Sequence, residues 1–531
     1  MKILVLAQAA GLLALAGVAA AAAERKVWNV VDAGAKADGK TLCTAAIQKA
    51  IDACAAGGGG TVRFPAGTFR SGALRLGSGV RLQLDEGATL LGSRDRKDYT
   101  GAPLGADGRA AAGTPVSRHL IHGEGLRDIA ICGKGTIDGS GSAFRDKTRH
   151  RPKCIYLERC RNVLVEGVRM QAAGSWMQHY RLCEKLTIRN VTVFNHVAFN
   201  NDGLNVDSCR DVTITGCRVD SDDDGIVLKS LSETPCRRVR IRDCVVSSHC
   251  NALKMGTESG GGFVDIAVDK CTVFSPKRSK KIYGRQRGLA GIALEIVDGG
   301  RMENVRVRDV DIAGVSVPIF VRLGNRARPY VKGAKPGVGT LRNVRLENIT
   351  AKGTGGIGCS ITGLPGHPVE GVTLKDVRLG FDGGGTREHA ARSVPEREKN
   401  YPESTMFGTL PAYGFYCRHV RGLAFTNLQL RTADSDLRHA MVFDDVQDLA
   451  IDGLDAAFSK GAAAMLRMVD VRGAAVRRCS PTSPVGTLLR LDGRRSREIV
   501  LDECDLAKVR KVAAVSPEVS AGALSVRGAR E

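Results

Sequence analysis

The chain has 531 residues, 43% hydrophobic and 25% charged, with 64 glycines and a formal net charge of +22. Ordinary apolar content with interspersed charge excludes a disordered chain, and glycine without a G-x-y period excludes a collagen-like one. Aromatics at 5% argue against an aromatic-rich sandwich core, and the positive charge suits an acidic partner: nucleic acid, an anionic surface or an acidic polysaccharide.

The N-terminus narrows that choice. Met1–Lys2 precedes an apolar run from Ile3 to Ala23 that ends in alanines and offers an A-x-A cleavage site. This is a signal-peptide pattern over 1–23, which predicts export to the periplasm or the exterior. No later stretch reaches the roughly 18 apolar residues of a spanning helix. The expectation is therefore a soluble mature chain with neither a nucleic-acid nor a membrane partner. Oligomeric state leaves no signature.

Thr44–Ala55 reads as an amphipathic helix with Ala45, Ile47, Ala50, Ile51 and Cys54 on its apolar face, ended by Gly57–Gly60. Its place before the repeats makes it an N-terminal cap. From Gly77 onward the chain repeats. Cys160-RNVLVEGV, Cys183-EKLTIRNV, Cys209-RDVTITGC and Cys236-RRVRIRDC share alternating apolar positions, at spacings of 23, 26 and 27 residues. Equivalent units start at Gly77, Leu126, Phe263, Met302, Leu341, Val369, Val420, Val446, Val471 and Ser496, giving fourteen in all. Units this short are too small for propeller blades, and the dominant leucine frame of a leucine-rich repeat is absent. Short strands separated by Gly, Asn and Asp turns predict one parallel β-helix domain over 24–531, in an all-β chain. Stacking also explains the sixteen cysteines. Those at equivalent repeat positions read as a buried ladder of small side chains. No Cys/His spacing suggests zinc, and no cofactor is expected. Two long excursions interrupt the repeat: a basic one near 276–291, and one near 380–413 containing NYPESTMFG.

Three consecutive units carry the chemistry: Asn200-Asn201-Asp202-Gly203, Asp222-Asp223-Asp224-Gly225 and Ser248-His249-Cys250-Asn251. A solenoid places them side by side. Carboxylates so crowded repel, which splits their pKa values into the protonated and ionised members that glycoside hydrolysis needs. Single Asp residues at such turns commonly serve the backbone, and clustered carboxylates can also hold Ca²⁺.

At this point the sequence resembles a family. NVVDAGAKADG (29–39), TAAIQKAIDAC, GGGGTVRFPAGTFRSGALRL (57–76), LDEGATLLGSRDRKDY (84–99) and GKGTIDGSG (133–141) are similar to the polygalacturonase family of glycoside hydrolases, family 28. The resemblance covers most of the mature chain. It implies a right-handed parallel β-helix of the pectin-lyase-like type and an inverting hydrolase of pectic glycans. The family's N-T-D-G falls on Asn200–Gly203 and its G-D-D on Asp222–Asp224. Asp223 is then the general acid, with Asp202 and Asp224 activating water, and inverting geometry puts the carboxyl groups about 6.5–9.5 Å apart. The family histidine falls strictly on Asn251. A local bulge would instead bring in His249, which is carried as the fourth catalytic candidate. The family's cationic R-I-K segment falls on Gly291–Glu295, where Ala293 and Glu295 replace both cations. An anionic Glu295 there would oppose an acidic sugar.

Asn200, Asn251, Lys229, Lys254, Arg322, Arg418, His419, Trp176 and Tyr401 are the candidate substrate-binding residues, with Trp176 the leading stacking platform. Arg326 is a further replacement cation. For Phe407, Tyr413 and Tyr416 the expectation is packing of the loop, and for His179 and His196 a structural role. Long loops that block a groove favour exo-action. A Ca²⁺-dependent lyase on the same fold and a non-catalytic glycan-binding solenoid are the rival readings.

Overall fold

The computed structural model describes residues 26–99, 119–147, 150–277, 282, 284–481 and 483–529. The predicted signal peptide and part of the basic excursion lie outside these. The strands pair in parallel, coil upon coil. The fourteen repeat units turn out to be one continuous sheet: Val80–Leu84 pairs with Arg127–Gly133, that with Arg161–Glu166, and so on to Arg497–Asp502. Val163, Leu186, Val212, Val239, Ile266 and Val305 occupy one register and are buried. Burying each such side chain contributes about 1.5–3 kcal/mol. The outward positions mix charged with small or polar residues, and charges at the strand starts pair between coils: Arg210 meets Glu184 of the previous coil at 2.7 Å.

The turn into each strand explains the recurring polar residue before the first apolar position. Asn162, Lys185, Asp211 and Arg238 all have φ between 53° and 57°. Asn and Asp tolerate this left-handed conformation better than most residues, and their side chains also bond between coils, as Asn304 does to Asp265 at 3.0 Å. The cysteine ladder is present as expected. All sixteen cysteines are free and buried, and thiols reach carbonyls of the preceding coil: Cys209 Sγ to Tyr180 O at 3.3 Å and Cys236 Sγ to Val206 O at 3.4 Å.

The predicted helix spans Thr44–Ala56 and buries Ile47, Ala50, Ile51 and Cys54 against the first coils. It stops the solenoid from offering its first strands to another chain. No helix among the described residues is long and apolar enough to cross a membrane.

A second sheet carries the polar units: Leu204–Asp207, Ile226–Ser230, Asn251–Ser259, Ala290–Ile296 and Val317–Leu323 stack in that order. Here nearly every residue is buried, on both faces. The cover over its later coils is the 380–413 excursion. Phe407 and Leu410 of that loop pack with Ala290, Ala293, Phe320 and Tyr416 in an apolar cluster separate from the main core. Ala293 belongs to this cluster, so a cation in its place would enter apolar surroundings. Phe407, Tyr413 and Tyr416 are buried, matching the packing expected of them.

Candidate active site

Asp202, Asp223 and Asp224 lie on the turns entering two adjacent strands of the covered sheet, Leu204–Asp207 and Ile226–Ser230. Paired backbones bring them together: the Gly203 N–H donates to Asp224 O at 2.9 Å, and the Gly225 N–H to Asn251 O at 2.8 Å. Two serines fix the acidic turn. Ser248 Oγ donates to Asp223 O at 2.7 Å, and Ser221 Oγ bonds the carbonyls of Asp223 and Asp224 at 2.9 and 3.1 Å.

All three carboxylates are nearly inaccessible, at 2–7% exposure. Asp224 is the paired one. Its Oδ1 accepts from the Asn251 backbone at 3.1 Å and from Asn251 Nδ2 at 2.8 Å, and its Oδ2 lies 3.0 Å from Lys254 Nζ. Asp202 sits 3.5 Å from Lys229 Nζ. Burial pushes Asp202 up to about 6 against the pull of Lys229. Asp223 has no cation at contact distance among the described residues. Burial, reinforced by the charges of Asp202 and Asp224, drives it well above the carboxylate range. The set thus separates a protonated member from partners held against ammonium groups, which is the division of labour that acid–base cleavage requires. Asp223 and Asp224 offer oxygens within 4.8 Å of one another, closer than the expected inverting span of about 6.5–9.5 Å, because neighbouring residues of one turn carry both.

The lysines are held in turn. Lys229 bridges Asp202 and Glu258, the latter at 3.0 Å. Burial opposes ionisation of Glu258, yet Lys229 brings it down to about 2. Lys254 lies between Asp224 and, at 4.0 Å, Glu295. Burial pushes Glu295 up to about 8, against the pull of Lys254. That shift towards the neutral form eases the charge conflict that the sequence raised at Glu295. Tyr401 is half-exposed at 52%, with its ring 5.8 Å from Lys254 Nζ and 5.7 Å from the Arg326 guanidinium. Trp176 lies between two ammonium groups, 4.5 Å from Lys153 and 4.6 Å from Lys229. Asn200 adopts φ 50° and accepts from Arg151 at 2.9 Å. His179 serves the scaffold, 3.2 Å from Asp207.

The structure does not bring four of the expected site residues to the carboxylates. His249 is one. Its Nδ1 meets the Arg285 carbonyl at 2.7 Å and its ring meets His196; the strict register puts Asn251 on Asp224 and no bulge rescues His249. Arg322 is buried and donates to the carbonyls of Gly363 and Glu396 at 3.2 and 2.8 Å. Arg418 donates to Val394 O at 2.6 Å and Pro395 O at 3.1 Å. His419 is fixed between Asp445 at 2.8 Å and Glu396 at 3.1 Å. These last three clasp the covering loop to the sheet and do not face the acidic cluster.

Sequence reasoning missed Glu403, Arg151 and Lys153. Glu403 enters from the covering loop, bonds to the Asn251 side chain, and is pushed by burial up to about 7. Its neighbour Ser404 anchors it, donating to Leu289 O at 2.9 Å. A loop between repeats has no register, so no periodic signal marked Glu403. Burial lowers Lys153 to about 7; its Nζ donates to His179 Nδ1 at 2.8 Å.

Buried acids of split character on adjacent coils of a parallel β-helix suit acid–base cleavage of a glycosidic bond. The family model for glycosyl hydrolases family 28 matches residues 54–399, and the chain belongs to that family, as a glycoside hydrolase. A probable polygalacturonase from Vitis vinifera is 26% identical over 385 residues, covering 66% of this chain and 74% of that one. An exo-poly-alpha-D-galacturonosidase from Dickeya chrysanthemi is 43% identical over 121 residues, 22% of this chain and 20% of that one. The structure of an exopolygalacturonase from Thermotoga maritima aligns with TM-score 0.59 and 22% identity over 76% of this chain and 92% of its own. The fold is the right-handed parallel β-helix of these neighbours.

Proposed function

We propose that the protein is an exported, inverting, exo-acting hydrolase of a pectic polysaccharide of galacturonan or rhamnogalacturonan type, or of its oligosaccharides. The observation that carries this is the convergence of Asp202, Asp223 and Asp224 from adjacent coils, with Asp223, of the three, lacking a cation at contact distance among the described residues. Asp223 donates its proton to the glycosidic oxygen as the bond to the anomeric carbon breaks. Asp202, aided by Asp224, takes a proton from the water that attacks the opposite face. Lys229 and Lys254 offset the negative charge gathered there. Polygalacturonase-type activities of the relatives support the pectic substrate. Exo-action is supported by the loop that packs over the sheet beyond Lys254, and Tyr401 at its edge offers a half-exposed ring to a terminal sugar.

Digestion of polygalacturonate and rhamnogalacturonan oligosaccharides tests the proposal. Expected are reducing ends without the 235 nm absorbance of an unsaturated product, monomers or dimers from the first minutes, and an inverted first anomer by proton NMR. A 235 nm rise would mean elimination, and a ladder of long products would mean endo-action.

A further inference from the structure

His196, Asp222 and His249 occupy one register on three consecutive coils. Asn195 pairs with Ser221 and Ser221 with Ser248, so the three residues that follow stand in line. Adjacent rungs are about 4.8 Å apart, which puts the two histidine backbones roughly 9.6 Å apart. Yet one potential ligand atom from each of the three lies within 4.8 Å of the others, and the imidazole centroids are 5.8 Å apart. The outer rings lean in over the middle carboxylate.

Hydrogen bonds fix which nitrogen each ring keeps free. His196 Nε2 lies 2.8 Å from Asp220 Oδ1, and its Nδ1 is buried with no partner. His249 Nδ1 lies 2.7 Å from the Arg285 carbonyl, which only accepts, so Nδ1 carries the proton and Nε2 keeps its lone pair. That Nε2 is also buried without a partner. The Asp222 carboxylate is oriented by the Ile282 N–H at 2.8 Å. Buried acceptors left unpaired are costly. An imidazole whose far nitrogen bonds a carboxylate or carbonyl is the arrangement that metal-ligating histidines use.

We propose that His196 Nδ1, His249 Nε2 and the Asp222 carboxylate bind a divalent transition metal of the zinc type, with water in the fourth position. Asp220 and the Arg285 carbonyl hold the two rings in the ligating tautomers. The ion secures the turn at Asp222 and hence the attachment of Asp223, the next residue. The ligands are 26 and 27 residues apart, the period of the solenoid, so no short Cys/His motif betrays them. The other nearby donor set, Asp223, Asp224 and Cys250, is unsuited. Asp224 is taken by Lys254 and Asn251, and burial pushes the Cys250 thiol well up.

The test is titration of untagged, EDTA-stripped protein with Co²⁺ and then Zn²⁺, read by cobalt d–d absorption, metal content and Tm. One ion per chain is expected, displaced by zinc, with a rise in Tm of a few degrees. His196→Gln and His249→Gln should abolish the cobalt spectrum while circular dichroism stays unchanged. Asp220→Asn, which spares all three ligands, should weaken affinity about 10–100-fold, and serves if the histidine variants misfold. The proposal is overturned if wild type retains no ion at micromolar metal, or if the variants bind as wild type does. A cobalt–thiolate charge-transfer band would overturn it too, by placing the ion on Cys250.

Discussion

Two sheets of the same solenoid obey different rules. The repeat sheet alternates buried Val, Leu and Ile with exposed Arg and half-buried Glu and Thr. Its ion pairs, such as Arg210 with Glu184, sit half in water. The site sheet has no such alternation: Ile226–Ser230 and Ala290–Ile296 are buried throughout, charged residues included. The difference lies in the cover. Loops shield the outer face of the site sheet, so each charge there must find a partner or give up its ionisation. A fold that is uniform in backbone thus produces a solvated surface on one side and strongly perturbed acids on the other.

The contrast can be broken at several points. The largest effect is expected from Asp223→Asn, which removes the proton donor from the covered side: kcat should fall by about 10²–10⁴-fold with the circular dichroism spectrum intact. In wild type the acid limb of kcat/KM should lie near pH 6, where Asp202 loses its proton, and the alkaline limb higher, where Asp223 does.

Next comes Lys254→Ala, which strands the buried Asp224 charge. Breaking a buried pair on one side costs about 3–5 kcal/mol, to be read from the denaturant midpoint. The third point is the pH dependence of stability. Glu295 has a reference pKa of 4.5 and a folded value of about 8, so between these the folded state binds the extra proton. Its contribution is fully present below pH 4.5 and is lost as pH rises towards about 8. Glu295→Gln carries no titrating proton and should flatten that decline in a series of thermal melts. The smallest effect belongs to the other sheet: Arg210→Ala should change stability by only about 0.2–1 kcal/mol, and less in high salt. A cost for Arg210→Ala matching that of Lys254→Ala would erase the distinction between the sheets.

The same distinction governs what was legible in the sequence. The repeat sheet was readable unit by unit, because exposure on one side enforces alternation and left-handed turns select residues such as Asn162 and Asp211. On the site sheet the acids were found from their clustering at the coil period and from family resemblance. Arg322, Arg418 and His419 do not reach the acids because a cation on a later coil, or just after the long loop, can equally clasp that loop, and the loop's path is not encoded in the repeat. Glu403 was missed for the same reason. The His196–Asp222–His249 line becomes visible only once the register of three coils is known. The choice between His249 and Asn251 turned on a single bulge, which the backbone does not make.

The most direct measurement is a ¹³C NMR titration of carboxyl-labelled aspartate in wild type, with Asp223 assigned by its disappearance in Asp223→Asn. The account predicts that Asp223 keeps its proton through the range in which exposed aspartates ionise. An Asp223 resonance that titrates with them near pH 4 would contradict it.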